Sequence, residues 1–315
     1  VMPKQVNQFS PAMRQWIHAV SSTLSTQYLE ASHSTLHSDE PTNDYAATLM
    51  INMRSTHHVN ELANAIYQNN PTAAVSALDN VVIQWSASSP MLSTLSSSNM
   101  LYDIHEINAQ QIKQAFKVLI QSMTTVFFKP LLNATEPTKA LALLRQFRIL
   151  SPTRKGYMGV EGINQAIDQL LDDAGAKSQD PERHLYHGKA ILITQNDMQL
   201  GIYNGDSGII LRNELQQLTA YIDRGDQPAL AISPYRITQF QSAYAMTIHK
   251  TQGSEFDQVL IVLPSGLTHS ISKELLYTGV TRAKHYVAVT GDSQDFVNAI
   301  QTSHTRNTNI QIKPK

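Results

Sequence analysis

The sequence predicts an α/β fold with a parallel sheet, interrupted by a small antiparallel barrel. Three observations predict it. Two short apolar runs rich in β-branched residues, Ala243–Ile248 and Val259–Leu263, read as buried strands. A third run, His285–Thr290, follows a helix-like segment that carries Thr281, Arg282 and Lys284. Strands joined by helical or loop crossovers make a parallel sheet, whose functional groups are expected at the carboxyl ends of the strands. Between residues 186 and 237 the chain changes to short strands separated by turn dipeptides, the signature of a small barrel.

Composition bounds the class. The chain has 315 residues, enough for one large or two medium domains. Hydrophobic residues make up 42% and charged residues 16%, so a core can form and general disorder is excluded. The formal net charge of −1 argues against a strongly basic nucleic-acid coat but leaves room for a local groove, since binding follows local charge. With no cysteine, a disulfide scaffold, Cys-ligated zinc and thiol catalysis are excluded, and a reducing compartment is permitted. No apolar run approaches the ~20 residues of a membrane span, and no signal peptide is evident.

Taken in order, Ser10-Pro11 starts a helix, with a capping serine and a proline where its missing N–H costs nothing. Residues 32–44 read as a polar loop whose His33 and His37 lack the surrounding glutamate pattern of a zinc site. Thr48–Met53 is a strand ending at Arg54, and Val59, Leu62, Ala63 and Ile66 follow at helical spacing. The Ser-rich run 86–98 is a loop or an insertion. Helices are predicted over Ile107–Met123 and Pro137–Phe147, with no chemistry attached.

Arg148–Ser151 is a strand that leads into glycines 156, 159 and 162 and then a helix with Ile163, Ile167, Leu170 and Leu171 inward. Gly175 supplies its left-handed terminus. A Gly-rich turn before a helix can hold phosphate, but the GxxxxGK[ST] pattern is absent. The barrel strands are Lys189–Thr194, Gly201–Tyr203, Ser207–Arg212, Leu218–Ile222 and Ala229–Ile232. Asn204-Gly205 marks a tight hairpin, and Asp197 and Asp206 read as turn residues rather than metal ligands. A helix from Ser293 closes the fold, and the polar tail from Thr305 frays.

The stretch TIHKTQGSEFDQV from Thr247, followed by LLYTGVTRAK from Leu275, resembles motifs V and VI of superfamily 1 helicases, most closely the RecD branch. The run LMINMRSTHHVNELANAI from Leu49 resembles motif IV of the same superfamily, with Met53 where the family usually has tyrosine. SPTRKGYMGVEGINQ resembles the motif labelled IVa, and GKAILITQNDMQLGIYNGDSGII resembles the SH3-like module inserted in RecD-type helicases.

The resemblance implies a RecA-like, P-loop-NTPase-type second motor domain in two segments, 1–185 and 238–315, with an SH3-like barrel inserted at 186–237. It implies that Gly253 and Glu255 touch nucleotide, and that Arg282 and Arg54 reach the γ-phosphate as catalytic groups. Thr247, His249, Lys250 and Thr251 would lie along single-stranded DNA, with Thr153, Arg154 and Asn164 near its backbone. On the residues alone, a plain surface arginine is the alternative for Arg54, against which the helix after it and the downstream motifs weigh, and Asn164 is equally a packing residue that caps a neighbouring loop. No metal ligands are expected on this chain.

ATP and Mg²⁺ are the implied cofactors, held mainly by a first motor domain expected on a longer protein, because neither a phosphate-cradling loop nor an acidic strand end is found here. The implied partners are single-stranded DNA and, in the heterotrimeric recombination nuclease of bacterial cytoplasm, RecB and RecC. A stand-alone helicase, the helicase part of a conjugative relaxase, and a non-catalytic binding lobe are the competing readings.

Overall fold

The computed structural model describes residues 55–78, 101–102, 109–176, 178, 180, 182–266 and 271–303. The expectations for Ser10-Pro11, His33, His37, Thr48–Met53, Arg54, the run 86–98 and the tail from Thr305 lie outside the described residues.

A five-stranded parallel sheet organises the α/β part. Its strands are β1 (Leu101–Tyr102), β2 (Phe147–Ser151), β8 (Ala245–Thr247), β9 (Phe256–Val262) and β10 (Ala283–Asp292), in the order β1-β10-β9-β2-β8. Every pairing is parallel. Val259–Val262 and Val287–Thr290 are buried without alternation, so both faces of the central strands are covered. The strands expected at Arg148–Ser151, Ala243–Ile248, Val259–Leu263 and His285–Thr290 are therefore present.

The helices are α1 (His57–Tyr67), α2 (Ala109–Met123), α3 (Pro137–Gln146), α4 (Val160–Asp173), α5 (Lys273–Val280) and α6 (Ser293–Gln301). Several begin or end where local chemistry dictates. Pro137 stands in the first turn of α3, where a missing N–H is harmless. Gly175, at φ +105°, follows α4 in the left-handed region, as expected. The Asp292 carboxylate accepts the N–H groups of Gln294 and Asp295 and caps α6. A π-turn, Thr124–Phe128, extends α2, and Phe127 stacks on Phe147 with ring centroids 4.0 Å apart.

The second sheet is antiparallel. Its strands are β3 (Lys189–Ile193), β4 (Ser207–Arg212), β5 (Leu218–Arg224), β6 (Gln227–Ile232) and β7 (Phe240–Ser242), in the order β6-β5-β4-β3-β7. Alternation along β3 and β4 splits their side chains. Ile191, Ile193 and Ile210 enter a small separate core with Leu218, Ala220 and Ile222, while Ala190, Leu192, Ile209 and Leu211 join the main core.

Two details differ from expectation. Gly201–Tyr203 is no strand: it contributes one isolated bridge, Asp197 to Ile202. Side chains take its backbone donors instead, with Tyr203 N–H bonded to Asp206 Oδ2 and Asn204 N–H to Asn196 Oδ1. The Asn204-Gly205 turn places only Gly205 at positive φ, +100°, so it is not the two-residue hairpin turn that the dipeptide signals. Asp197 and Asp206 do serve turns, each accepting backbone N–H groups.

Candidate functional site

Arg282 stands in the turn between α5 and β10, not on the helix, and Lys284 is already part of β10. The Arg282 side chain folds back over its own turn. Nε donates to the Thr278 carbonyl at 3.1 Å, Nη1 to the carbonyls of Ser254 at 3.2 Å and Thr251 at 3.4 Å, and Nη2 to the Thr281 hydroxyl at 3.4 Å. All four acceptors are neutral oxygens. They orient the planar guanidinium without cancelling its charge.

Gly253 and Glu255 flank the Ser254 carbonyl that Arg282 holds. Gly253 is exposed, at φ +90°, with open space where a Cβ would project. The Ser254 N–H closes this turn on the Thr251 carbonyl at 2.9 Å. Phe256 N–H donates to the Arg282 carbonyl at 2.9 Å, so the starts of β9 and β10 are locked together. Lys284 Nζ lies 3.9 Å from Glu255 Oε2.

The residues that follow Arg54 dock on the same strand start. Ser55 Oγ donates to the Ala283 carbonyl at 2.9 Å, Thr56 N–H to the Lys284 carbonyl at 2.9 Å, and Thr56 Oγ1 to the His285 carbonyl at 2.8 Å.

This first group lies at the amino ends of β9 and β10, whereas the sheet class predicts carboxyl ends. The connections explain the reversal. A 3₁₀ turn, Ile248–Thr251, and the residues after it carry the chain from the carboxyl end of β8 to the amino end of β9. Helix α5 delivers Arg282 to the amino end of β10.

A second group lies at the carboxyl ends of β2 and β8, which pair through Ser151 and Thr247. Thr247 is half-buried, and His249 and Lys250 are exposed on the 3₁₀ turn. Thr153 and Arg154 follow β2, and Arg154 reaches Glu161 at 3.0 Å.

Two sequence-predicted contact residues have other duties. Thr251 is fully buried, its hydroxyl donating to the Ile248 carbonyl at 2.6 Å, so its side chain is not offered to a ligand. Asn164 is 6% exposed; its amide nitrogen donates to the Ser242 and Ala245 carbonyls, and its oxygen accepts the Ala245 N–H at 2.8 Å. Such an amide clamps β8 to α4. The packing reading of Asn164 is the one the geometry carries.

Buried polar clusters that sequence reasoning missed brace these groups. Asp168 of α4 accepts from Tyr186 at 2.5 Å, Lys189 at 3.1 Å and Ser242 at 2.6 Å, and the Tyr186 and Tyr244 hydroxyls are 2.6 Å apart. Burial pushes both phenols well above the ordinary tyrosine range, with the neighbouring phenol and Asp168 adding to it at Tyr186. Burial also pulls the Lys189 ammonium down, against the opposing pull of Asp168. Arg148 is 1% exposed beneath the Phe256 ring, 4.7 Å from its centroid. Its Nη2 donates to the Leu144 carbonyl, while Nε and Nη1 have no hydrogen-bond partner among the described residues. Burial lowers its pKa to about 10, with Asp223 opposing.

Among the described residues, one grouping brings potential metal ligands within 4.8 Å of one another: His57, His58 and Glu61 in the first turns of α1. No helix among the described residues is long and apolar enough to cross a membrane.

Comparison with known proteins places these groups in context. Residues 242–290, which carry Thr247 to Arg282, match the family model of the UvrD-like helicase C-terminal domain. The chain is 37% identical over 174 residues to the RecBCD enzyme subunit RecD of Mycolicibacterium smegmatis, covering 55% of this chain and 30% of that protein. It is 36% identical over 163 residues to RecD of Haemophilus influenzae, covering 52% and 24%. The ATP-dependent RecD2 DNA helicase of Deinococcus radiodurans is 29% identical over 162 residues, covering 51% and 22%. The chain thus spans less than a third of the length of these relatives. A Bacteroides Pif1 helicase solved with ADP-AlF3 and ssDNA aligns at a TM-score of 0.40 and 16% identity, covering 80% of this chain and 53% of that one. By its sequence relatives, the chain is similar to a C-terminal part of a RecD-type helicase.

Proposed function

We propose that this chain is the second, RecA-like motor lobe of an ATP-dependent 5′-to-3′ DNA helicase, the RecD (α) subunit of exodeoxyribonuclease V, with RecB and RecC as partners. One observation carries the reading. The Arg282 guanidinium is held by neutral carbonyls from Thr251 and Ser254, beside exposed Gly253 and half-buried Glu255. An oriented cation on an open edge suits the γ-phosphate of a nucleotide bound mainly on another lobe. Closure of two lobes would then align the charge onto the transition state, and hydrolysis would remove the reason to stay closed.

The residues present fit one side of such a site. Arg282 supplies the cation and Gly253 the backbone approach, with Glu255 beside them. The phosphate cradle and the carboxylates that hold Mg²⁺ come, on this reading, from a first motor lobe, and this chain alone turns over no ATP. Thr247, His249 and Lys250, together with Thr153 and Arg154, form the track for single-stranded DNA. The antiparallel strands β3 to β7 are the SH3-like barrel, and cytoplasmic location follows from the same reading.

The match to the Deinococcus RecD2 helicase favours a second reading, a stand-alone RecD-like helicase. Co-purification separates the two. Recovery with RecB and RecC at equal stoichiometry supports the first, and recovery without either, with DNA-stimulated ATP turnover intact, supports the second. ATP hydrolysis by this chain alone would overturn the half-site assignment in both.

A further inference from the structure

The geometry points to Tyr157 as a platform on which a base of single-stranded DNA stacks, an inference that rests on the DNA track proposed above. Tyr157 lies within the stretch that resembles motif IVa, three residues after Arg154, was given no role there, and is 45% exposed. Lone exposed aromatics are ordinary on protein surfaces. This one is distinguished by the loop that carries it.

That loop is built rather than slack. Ser151 Oγ, at the carboxyl end of β2, donates to the Met158 carbonyl at 3.0 Å. Val160 N–H returns to the Thr153 carbonyl, Glu161 N–H to that of Arg154, and Gly159 N–H to that of Gly156. Gly156 takes φ +90°. A Cβ at Gly159 would lie 2.2 Å from the Lys155 carbonyl oxygen, and one at Gly162 would lie 2.4 Å from that of Gly156. Glycines and strand-end hydrogen bonds thus fix one tight path. What that path presents to solvent is Arg154, Lys155 and Tyr157.

The Tyr157 ring meets Phe116 in a T-shaped contact, centroids 5.8 Å apart at 78°, which restricts the rotamer freedom it has to lose on binding. A groove of about 620 Å³ opens beside it, lined by Lys155, Tyr157, Glu161, Gln165 and Gln169 among others. The loop follows β2, whose last residue, Ser151, pairs with Thr247, two residues before His249. Cations for the backbone, an aromatic face for a base and amides for base edges are the parts of a single-strand site.

The test titrates fluorescein-labelled oligothymidylate with this chain at fixed salt, comparing wild type, Tyr157→Leu and Tyr157→Trp. Leucine keeps an apolar contact with Phe116 but cannot stack. Tyr157→Leu is expected to weaken binding about tenfold or more, while the slope of log affinity against log salt stays unchanged. Wild type and Tyr157→Leu should bind an abasic oligomer of equal length with the same affinity. Tyr157→Trp should bind at least as tightly as wild type, with emission beyond that of the two native tryptophans quenched by the oligomer. Equal affinity of wild type and Tyr157→Leu for oligothymidylate, or unquenched emission of the introduced indole at saturation, overturns the stacking assignment alone. Failure of wild type to bind the oligomer at low salt overturns the DNA track and this inference with it.

Discussion

The Nη1 of Arg282 donates to the Ser254 carbonyl at 3.2 Å, joining the end of one sequence motif to the middle of another 28 residues earlier. The Arg282 carbonyl in turn accepts the Phe256 N–H, a second bond to the same segment. The arginine is set by backbone on both sides, which no neighbouring side-chain substitution easily disturbs. The functional consequence is preorganisation: a cation placed before its target arrives costs no reorganisation during reaction.

The first prediction concerns that cation. In a protein where this lobe is joined to a P-loop lobe, Arg282→Ala should lower ATP turnover on the order of 10³-fold while nucleotide binding is largely kept. Steady-state hydrolysis and equilibrium binding of a fluorescent ATP analogue separate the two quantities. Arg282→Lys should rescue little, since an ammonium cannot reproduce the forked contacts to Ser254, Thr251 and Thr278. Turnover at the wild-type rate in either variant would remove Arg282 from the site.

Lys250 is exposed on the turn that follows β8. Lys250→Ala should reduce the slope of log affinity against log salt for single-stranded DNA by about 0.7, the value of one phosphate contact on a single strand. An unchanged slope would take Lys250 off the DNA track. His249→Ala, measured alongside, should also weaken binding.

Much of this arrangement was legible in the sequence, and the limits are instructive. Strands β2, β8, β9 and β10 were readable because buried parallel strands are near-continuous apolar runs. The pairing of Arg282 with the Gly253–Glu255 turn followed from resemblance, not from any local signal. What could not be read was contact across large separations. Asn164 meets Ala245 across 81 residues, and Lys189 meets Ser242 across 53. Arg148 looked like an ordinary strand residue, since nothing nearby announces that Phe256 will cover it. The sense of the site was also missed, because strand class does not say where a 3₁₀ turn or α5 will deposit its last residue. Strand-like composition at Gly201–Tyr203 gave way to side-chain hydrogen bonds, which propensity does not weigh.

Asn164 supplies a stability prediction. Asn164→Leu removes partners from the Ala245 N–H and from two carbonyls in a buried place. Leaving such groups unpaired should cost roughly 2–3 kcal/mol, read as a lower urea midpoint with an unchanged slope. A variant as stable as wild type would show that β8 does not depend on this clamp.

Tyr186 and Tyr244 make a spectroscopic prediction. Burial raises both phenols far above the ordinary value of about 10. The folded chain therefore holds two protons that the unfolded chain releases at about pH 10. Stability is fully present below that pH and falls as pH rises above it. Phenolate absorbance should show an early phase from exposed tyrosines and a late, cooperative phase that coincides with loss of far-ultraviolet ellipticity. Tyr186→Phe should shrink the late phase. A single smooth titration that is complete before unfolding would contradict the buried pair.

Arg148 carries the last prediction, and its sign is opposite to that of Asn164. A guanidinium that is 1% exposed, with Nε and Nη1 unpartnered among the described residues, has surrendered its hydration for a carbonyl bond and a ring face. That exchange is unfavourable: it is the reason the pKa falls to about 10, and Asp223 offsets only part of it. Methionine has similar length and no polar atoms to desolvate, so Arg148→Met should leave stability at neutral pH unchanged or higher. Arg148→Ala, which opens a cavity under Phe256, should lower it. The cost of the arginine also falls with alkalinity. The unfolded guanidinium holds its proton to higher pH than the folded one, so the stability gap between wild type and Arg148→Met should narrow as pH rises past about 10. Urea midpoints of wild type and both variants at pH 7 and at about pH 11 measure this directly. A large loss of stability in Arg148→Met at pH 7 would mean that the cation on Phe256 stabilises the starts of β2 and β9 by more than its burial costs.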